Sequence, residues 1–196
     1  MISKKLFLAA FVIILFPASI FTQGINWGLR LDAYMAKTVW VDRKTGAQEK
    51  EFYYPWFFTT PQVVLNIYPI KQFGAEFRAG YEIYPTGFAG GEYTLLAKTY
   101  FYQPLYLLAG VCFKKIIDSD GGRFSYIGAA RFGMLTAGIG LQYSKHFSAE
   151  LIYLHGNKRH LGYSGIYEYY PYTVQDKYLY YVLKFSIGWQ WSIYDF

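Results

Sequence analysis

Residues 73–84 read FGAEFRAGYEIY, and every second residue is apolar: Phe73, Ala75, Phe77, Ala79, Tyr81 and Ile83. Between them stand Gly74, Glu76, Arg78, Gly80, Glu82 and Tyr84. A strand sends successive side chains to opposite faces, so the segment has one oily face and one charged face. The oily face must be covered, either by a core or by hydrocarbon, and that choice decides the architecture.

The pattern recurs. Period-two stretches separated by turn residues predict eight strands, at about 25–39, 57–68, 73–84, 91–102, 105–116, 130–143, 147–156 and 177–194. The connections alternate in length. Residues 69–72, 103–104 and 144–146 are short, whereas 40–56, 117–129 and 157–176 are long, with 85–90 on the same side as the long set. An even strand number with short turns at one end and longer loops at the other describes a membrane-spanning β-barrel. No repeat or linker divides the chain, so residues 24–196 are expected to form one barrel domain.

Within the strand centres the charged residues share the polar face: Arg30, Asp32, Glu76, Arg78, Glu82, Glu92, Lys98, Lys114, Glu150 and Lys184. Five are acids and five are bases, a set able to pair inside a closed lumen. Lys37, Lys115 and Arg131 fall just outside these windows. Alternation alone also fits a soluble barrel with its apolar face inward, such as a periplasmic lipid-binding barrel. Composition separates the two. Charged residues make up 16% of the chain, against about 25% in soluble domains. The apolar face carries Trp, Tyr and Phe near strand ends and aliphatics between, the arrangement of an aromatic girdle. The expected fold is therefore all-β: an eight-stranded, antiparallel, up-and-down transmembrane barrel, closed because an open sheet edge is not tolerated in hydrocarbon.

The first residues agree with export. Lys4 and Lys5 precede an apolar run, Leu6–Phe16, ended by Pro17. This reads as a secretory signal peptide over residues 1–23, too short for a comfortable membrane span. Loss of the two lysines lowers the net charge from +6 to +4, a mild excess that gives no sign of nucleic-acid binding. Cys112 is the single cysteine, so no internal disulfide forms, and it reads as a small residue packed in a strand.

At the carboxyl end the chain runs Trp189-Gln-Trp-Ser-Ile-Tyr194-Asp-Phe196. A terminal Phe with Tyr two positions before it resembles the assembly signal of Gram-negative outer-membrane barrels. With the strand count, the chain resembles the small eight-stranded group, the OmpX-like and opacity-protein-like barrels. The resemblance implies an outer-membrane location, lipopolysaccharide as a neighbour, Tyr194 and Phe196 as the signal read by the barrel-assembly machinery, and a surface or adhesin-like role. The match has one departure: Ile187, Trp189, Trp191 and Ile193 have the opposite parity to Tyr194 and Phe196. Either a bulge shifts the register near Ser192 or the terminal match is partly accidental.

Catalysis has one weak set of candidates, His146, Ser148 and Glu150, which share a face if the strand reaches that far. An H-x-S pair resembles the barrel-borne lipid A deacylases, in which Ser is activated by His. Ala149 stands where that family has Asn, and Ser144-Lys145-His146 reads as a short turn. His155 and His160 lack a third ligand at metal-site spacing, so neither metal nor cofactor is expected. Lys158 and Arg159 read as a solvated loop or as contacts to lipopolysaccharide phosphates. Tyr53, Tyr54 and Trp56 in one long connection, and Tyr163, Tyr167, Tyr169 and Tyr170 in another, read either as strand extensions of the outer girdle or as an adaptable surface for an extracellular ligand. Transport is disfavoured, because eight strands enclose little more than their own side chains.

Overall fold

The computed structural model describes residues 24–53, 60–83, 90–116, 125–126, 131–166 and 173–195. The signal-peptide reading, Tyr54, Trp56, Tyr167, Tyr169, Tyr170 and Phe196 lie outside these residues, and Tyr53, Tyr163 and Tyr194 are described through backbone pairing alone.

The strands are β1 (Gly24–Asp42), β2 (Gln48–Tyr53), β3 (Thr60–Ile70), β4 (Phe73–Glu82), β5 (Gly90–Tyr102), β6 (Leu105–Ile116), β7 (Ser125–Tyr126), β8 (Arg131–Gln142), β9 (Phe147–Ile166) and β10 (Thr173–Asp195). Eight of them, β1, β3, β4, β5, β6, β8, β9 and β10, pair antiparallel in that order, and β10 returns to pair with β1. These eight strands thus close into a barrel. β2 continues the β3 side along the upper half of β1, and β7 adds a short rung to β9.

The alternation has become geometry. Leu29, Val63, Leu65, Leu95, Leu107, Leu135, Ile139, Leu151 and Phe185 form an exposed belt, with Leu135 67% accessible. Aromatic residues lie towards its ends. Trp27 and Trp191 stack at 4.8 Å near the short turns, while Tyr81, Tyr93 and Phe113 face outward near the long connections. A continuous apolar belt on the outside of a closed barrel is stable in hydrocarbon and unstable in water.

Two expectations change. The connections 40–56 and 157–176 are largely strand: β1 and β2 form a hairpin around residues 43–47, and β9 and β10 run to Ile166 and from Thr173. β1, β9 and β10 have 19, 20 and 23 residues, about twice the 9–11 needed to cross a bilayer. They form a wall that rises well beyond the membrane on one side. Leu179, which simple alternation puts with Tyr181 on the outer face, is fully buried. The reason is a bulge. β10 pairs Leu179 with Thr38 and Tyr181 with Lys37, leaving Tyr180 as the extra residue. On β9 the pairing jumps from His155 to Arg159 across Asn157 and Lys158, both with positive φ. Above these bulges the parity of β9 and β10 reverses.

A second irregularity bears on the carboxyl terminus. Asn26 pairs with Ser192 and Ile25 with Tyr194, so Ile193 is an inserted residue. The pairing therefore shifts register next to Ser192.

Candidate functional site

The lumen is the polar centre of the molecule. Arg30, Asp32, Glu76, Arg78, Glu82, Glu92, Lys98, Lys114, Glu150 and Lys184 all lie inside it, each no more than 4% exposed. Buried charge is tolerated only when paired and hydrogen-bonded, and the pairing resolves into two clusters.

The first comes from β1, β4, β5 and β9. Arg30 lies 2.7 Å from Glu150 and 3.7 Å from Glu76. Arg78 pairs with Glu76 and reaches Glu150 at 2.6 Å. Lys98 lies 3.6 Å from Glu76 and 3.9 Å over the ring of Tyr106, a cation–π contact strengthened by burial. The Tyr106 hydroxyl donates to Glu150 at 2.6 Å. Two glycines make room for this. Tyr106 and Glu150 flank Gly140 in register on β6, β8 and β9. A Cβ at Gly140 would come within 2.2 Å of the Tyr106 ring. Arg30 likewise lies across Gly188, its partner on β10.

The second cluster comes from β1, β4, β5, β6 and β10. Lys184 bridges Asp32 at 3.3 Å and Glu92 at 2.5 Å. Lys114 pairs with Glu82 and lies 4.0 Å from Glu92. Gln62 donates to both Asp32 (2.9 Å) and Glu92 (3.1 Å). Three bases and two acids make the first cluster, two bases and three acids the second. Neither is neutral alone, whereas together they balance.

Apolar residues fill much of the remaining interior, including Leu96, Leu108, Cys112, Met134, Ile152, Leu154 and Val182. The gap bounded by Arg78, Glu92 and Lys184 has a volume of about 10 Å³, room for a single water at most. The short-turn end opens into a wide vestibule of about 790 Å³, bordered by Tyr68, Tyr100, Gln142 and Gln190, but the charged clusters close it above.

The three weak catalytic candidates do not assemble. His146 sits in the β8–β9 turn; its ring is 6.1 Å from that of the outward-facing Trp189 and its Nδ1 is 2.9 Å from the Gln190 carbonyl oxygen. Ser148 points into the lumen, where its hydroxyl accepts a hydrogen bond from Arg30 at 3.0 Å. Glu150 is held by two arginines and a tyrosine. The shared face fails because the turn takes His146 out of the strand. Among the described residues no three His, Cys, Asp or Glu side chains are placed to hold a metal ion. Lys158 and Arg159 are exposed beside the β9 bulge, with Lys158 5.8 Å over the Tyr180 ring.

The wall above the barrel has its own contacts, which sequence reasoning missed. Arg43, in the β1–β2 turn, donates to both carboxylate oxygens of Asp176 on β10 at 2.8 and 2.7 Å. His160 on β9 approaches the same carboxylate at 3.0 Å. These bonds, led by Arg43, hold the Asp176 carboxyl down at about 2. Asp42 accepts from the Lys44 and Thr45 amides and shapes the turn; the Thr45 amide bond is the main reason its acidity is raised. Lys177 lies 3.5 Å from Glu51 and 4.6 Å over Trp40. Sequence distance hides such links, since Arg43 and Asp176 are 133 residues apart.

An apolar exterior, a closed sheet and an ion-paired interior define the class: a small membrane-spanning barrel of the outer-membrane type. Solved structures share this fold. The chain superposes on the outer membrane protein OprG from Pseudomonas aeruginosa with a TM-score of 0.52 at 13% identity, covering 87% of this chain and 97% of that one. It superposes on the outer membrane protein AlkL, determined in DMPC lipid bilayers, with a TM-score of 0.54 at 12% identity, covering 88% and 92%. No protein-family model matches the chain, and no curated protein matches it in sequence.

Proposed function

We propose that this chain is exported by residues 1–23, assembled into a bacterial outer membrane, and serves there as a non-enzymatic structural and surface barrel. Its amino and carboxyl ends lie with the short turns on the periplasmic side, and the tall β1–β2 and β9–β10 wall projects outward. The observation that carries the reading is the combination of a sealed lumen with this wall. Charged clusters and apolar packing close the interior, so the surface above the membrane is what the molecule offers to a partner. Tyr194, opposite Ile25 after the Ile193 bulge, and Phe196 supply the signal for the barrel-assembly machinery.

The outer wall carries aromatic and basic residues on a strand frame. Tyr53 pairs with Ala36 and Tyr163 with Asp176 through their backbones, and Lys158 and Arg159 stand on the same wall. The tyrosine-rich segment at 163–172 joins β9 to β10 and is the best position for contact with an extracellular ligand, because tyrosines bury large area at little entropic cost.

Fractionation with surface proteolysis tests this. The folded protein is expected in detergent-extracted outer membranes, migrating faster before boiling than after. Cleavage within 163–172 is expected in intact cells. Cleavage there only after lysis would reverse the orientation, and recovery as a water-soluble monomer would end the membrane reading altogether.

A further inference from the structure

Two cations stand directly opposite one another on the outer face of the barrel, Lys115 on β6 and Arg131 on β8. Both are exposed. Like charges facing across a strand pair repel, and among the described residues neither has a carboxylate partner. The next outward pair towards the membrane centre is Phe113 with Gly133, followed by Val111 with Leu135. On the other side of β6, Tyr93 pairs with Phe113 and Gly91 with Lys115. The ring of Phe113 leans over Gly133, 3.4 Å from where a Cβ would sit.

A cleft of about 450 Å³ lies here, lined by Tyr93, Phe113, Lys114, Lys115, Arg131, Phe132 and Gly133. Lys114 and Phe132 belong to the inward face, while Tyr93, Phe113 and Gly133 on the outer face give the cleft an apolar floor that merges into the lipid-facing belt. Its cationic rim lies at the end bearing the long connections. A free anion would use the rim and leave the floor bare. An uncharged lipid would use the floor and leave two cations unneutralised. A molecule with an anionic head above an acyl chain matches both parts, and a phosphate, with its several oxygens, can meet both cations at once.

We propose that this cleft is a binding site for a phosphorylated lipid of the outer leaflet, its phosphate between Lys115 and Arg131 and an acyl chain against the row formed by Tyr93, Phe113 and Gly133. The proposal rests on the outer-membrane reading and its orientation. Lys71 and Lys145, exposed on the short turns at the opposite end of the barrel, provide the contrasting basic pair.

The test uses the full barrel refolded into phosphatidylcholine vesicles containing diphosphorylated lipid A, with bound lipid counted by native mass spectrometry after release. Lys115→Gln/Arg131→Gln is expected to weaken retention on the order of thirtyfold, and Gly133→Leu, which fills the floor, to weaken it as well. Lys71→Gln/Lys145→Gln is expected to leave it unchanged, and dephosphorylated lipid A to bind poorly to every form. Heat-modifiable migration of each variant shows that it has folded. Equal retention by the inserted wild type and Lys115→Gln/Arg131→Gln overturns the site alone. Displacement of the lipid by inorganic phosphate at millimolar concentration makes it a free-anion site and overturns it too. Failure of the wild type to insert overturns the membrane reading and this proposal together.

Discussion

The molecule contains the same ionic chemistry in two settings. In the lumen, Glu150 is gripped by Arg30, Arg78 and Tyr106 where water is excluded. On the outer wall, Asp176 is gripped by Arg43 and His160 with geometry equally good, but the Arg43 side chain is 53% exposed. Distance alone would rank the two clusters as equals. Desolvation separates them: an exposed pair trades water contacts for protein contacts almost evenly, whereas a buried charge that loses its partner has nothing to replace it. The lumen clusters act as a constraint on how the barrel closes. The wall cluster acts as a light clasp between hairpins.

Single substitutions sharpen this contrast. Glu150→Ala is expected to cost about 3–5 kcal/mol, since it leaves Arg30, Arg78 and Lys98 buried with Glu76 as their one remaining carboxylate in the cluster; the urea midpoint of unfolding from lipid vesicles measures it. Leu135→Arg is expected to cost about 2–4 kcal/mol in a bilayer; a negligible change would mean that Leu135 meets water. Gly140→Ala pushes the Tyr106 ring off its seat and is expected to cost about 1–3 kcal/mol, with Tyr106→Phe nearer 1 kcal/mol. Arg43→Ala should change stability by no more than about 1 kcal/mol and less at high salt; a loss as large as that of Glu150→Ala would erase the distinction. The smallest effect is a pH dependence. The Asp176 carboxyl is held at about 2 in the folded wall, below its unfolded value near 4. Its contribution is therefore complete above about pH 4 and fades as pH falls through about 2. Hydrogen exchange at the β1–β2 turn and at Thr173–Asp176 should rise in that window, and in Arg43→Ala the rise should begin at higher pH.

The barrel was legible because period two persists through every membrane-crossing segment, and turns such as Gln103-Pro104 interrupt it. The wall was not, and the reason is physical. The Tyr180 and Asn157–Lys158 bulges reverse the facing of β9 and β10, so a fixed period cannot follow them past Gly156. Leu179 shows the consequence, since its identity suits either face and only the bulge decides. Within the lumen, alternation says which residues share the interior but not which carboxylate meets which cation, because that depends on the stagger of strands far apart in sequence. Gly140 carries the one readable hint. Glycine and tyrosine recur together on the polar face, and the close approach of the Tyr106 ring is the use made of that pairing. Lys115 and Arg131, at the very ends of their strands, become partners only when the register is known.

The two lumen clusters also bear on how such a chain can enter a bilayer at all. Arg30 and Asp32 sit on the first strand and Lys184 on the last, the two strands that meet at the seam. Until that seam zips, Lys184 is without Asp32 and Arg30 without Ser186, with hydrocarbon alongside. Charge burial therefore favours sealing the cylinder as it crosses the bilayer, since these polar contacts form when the two ends meet in register.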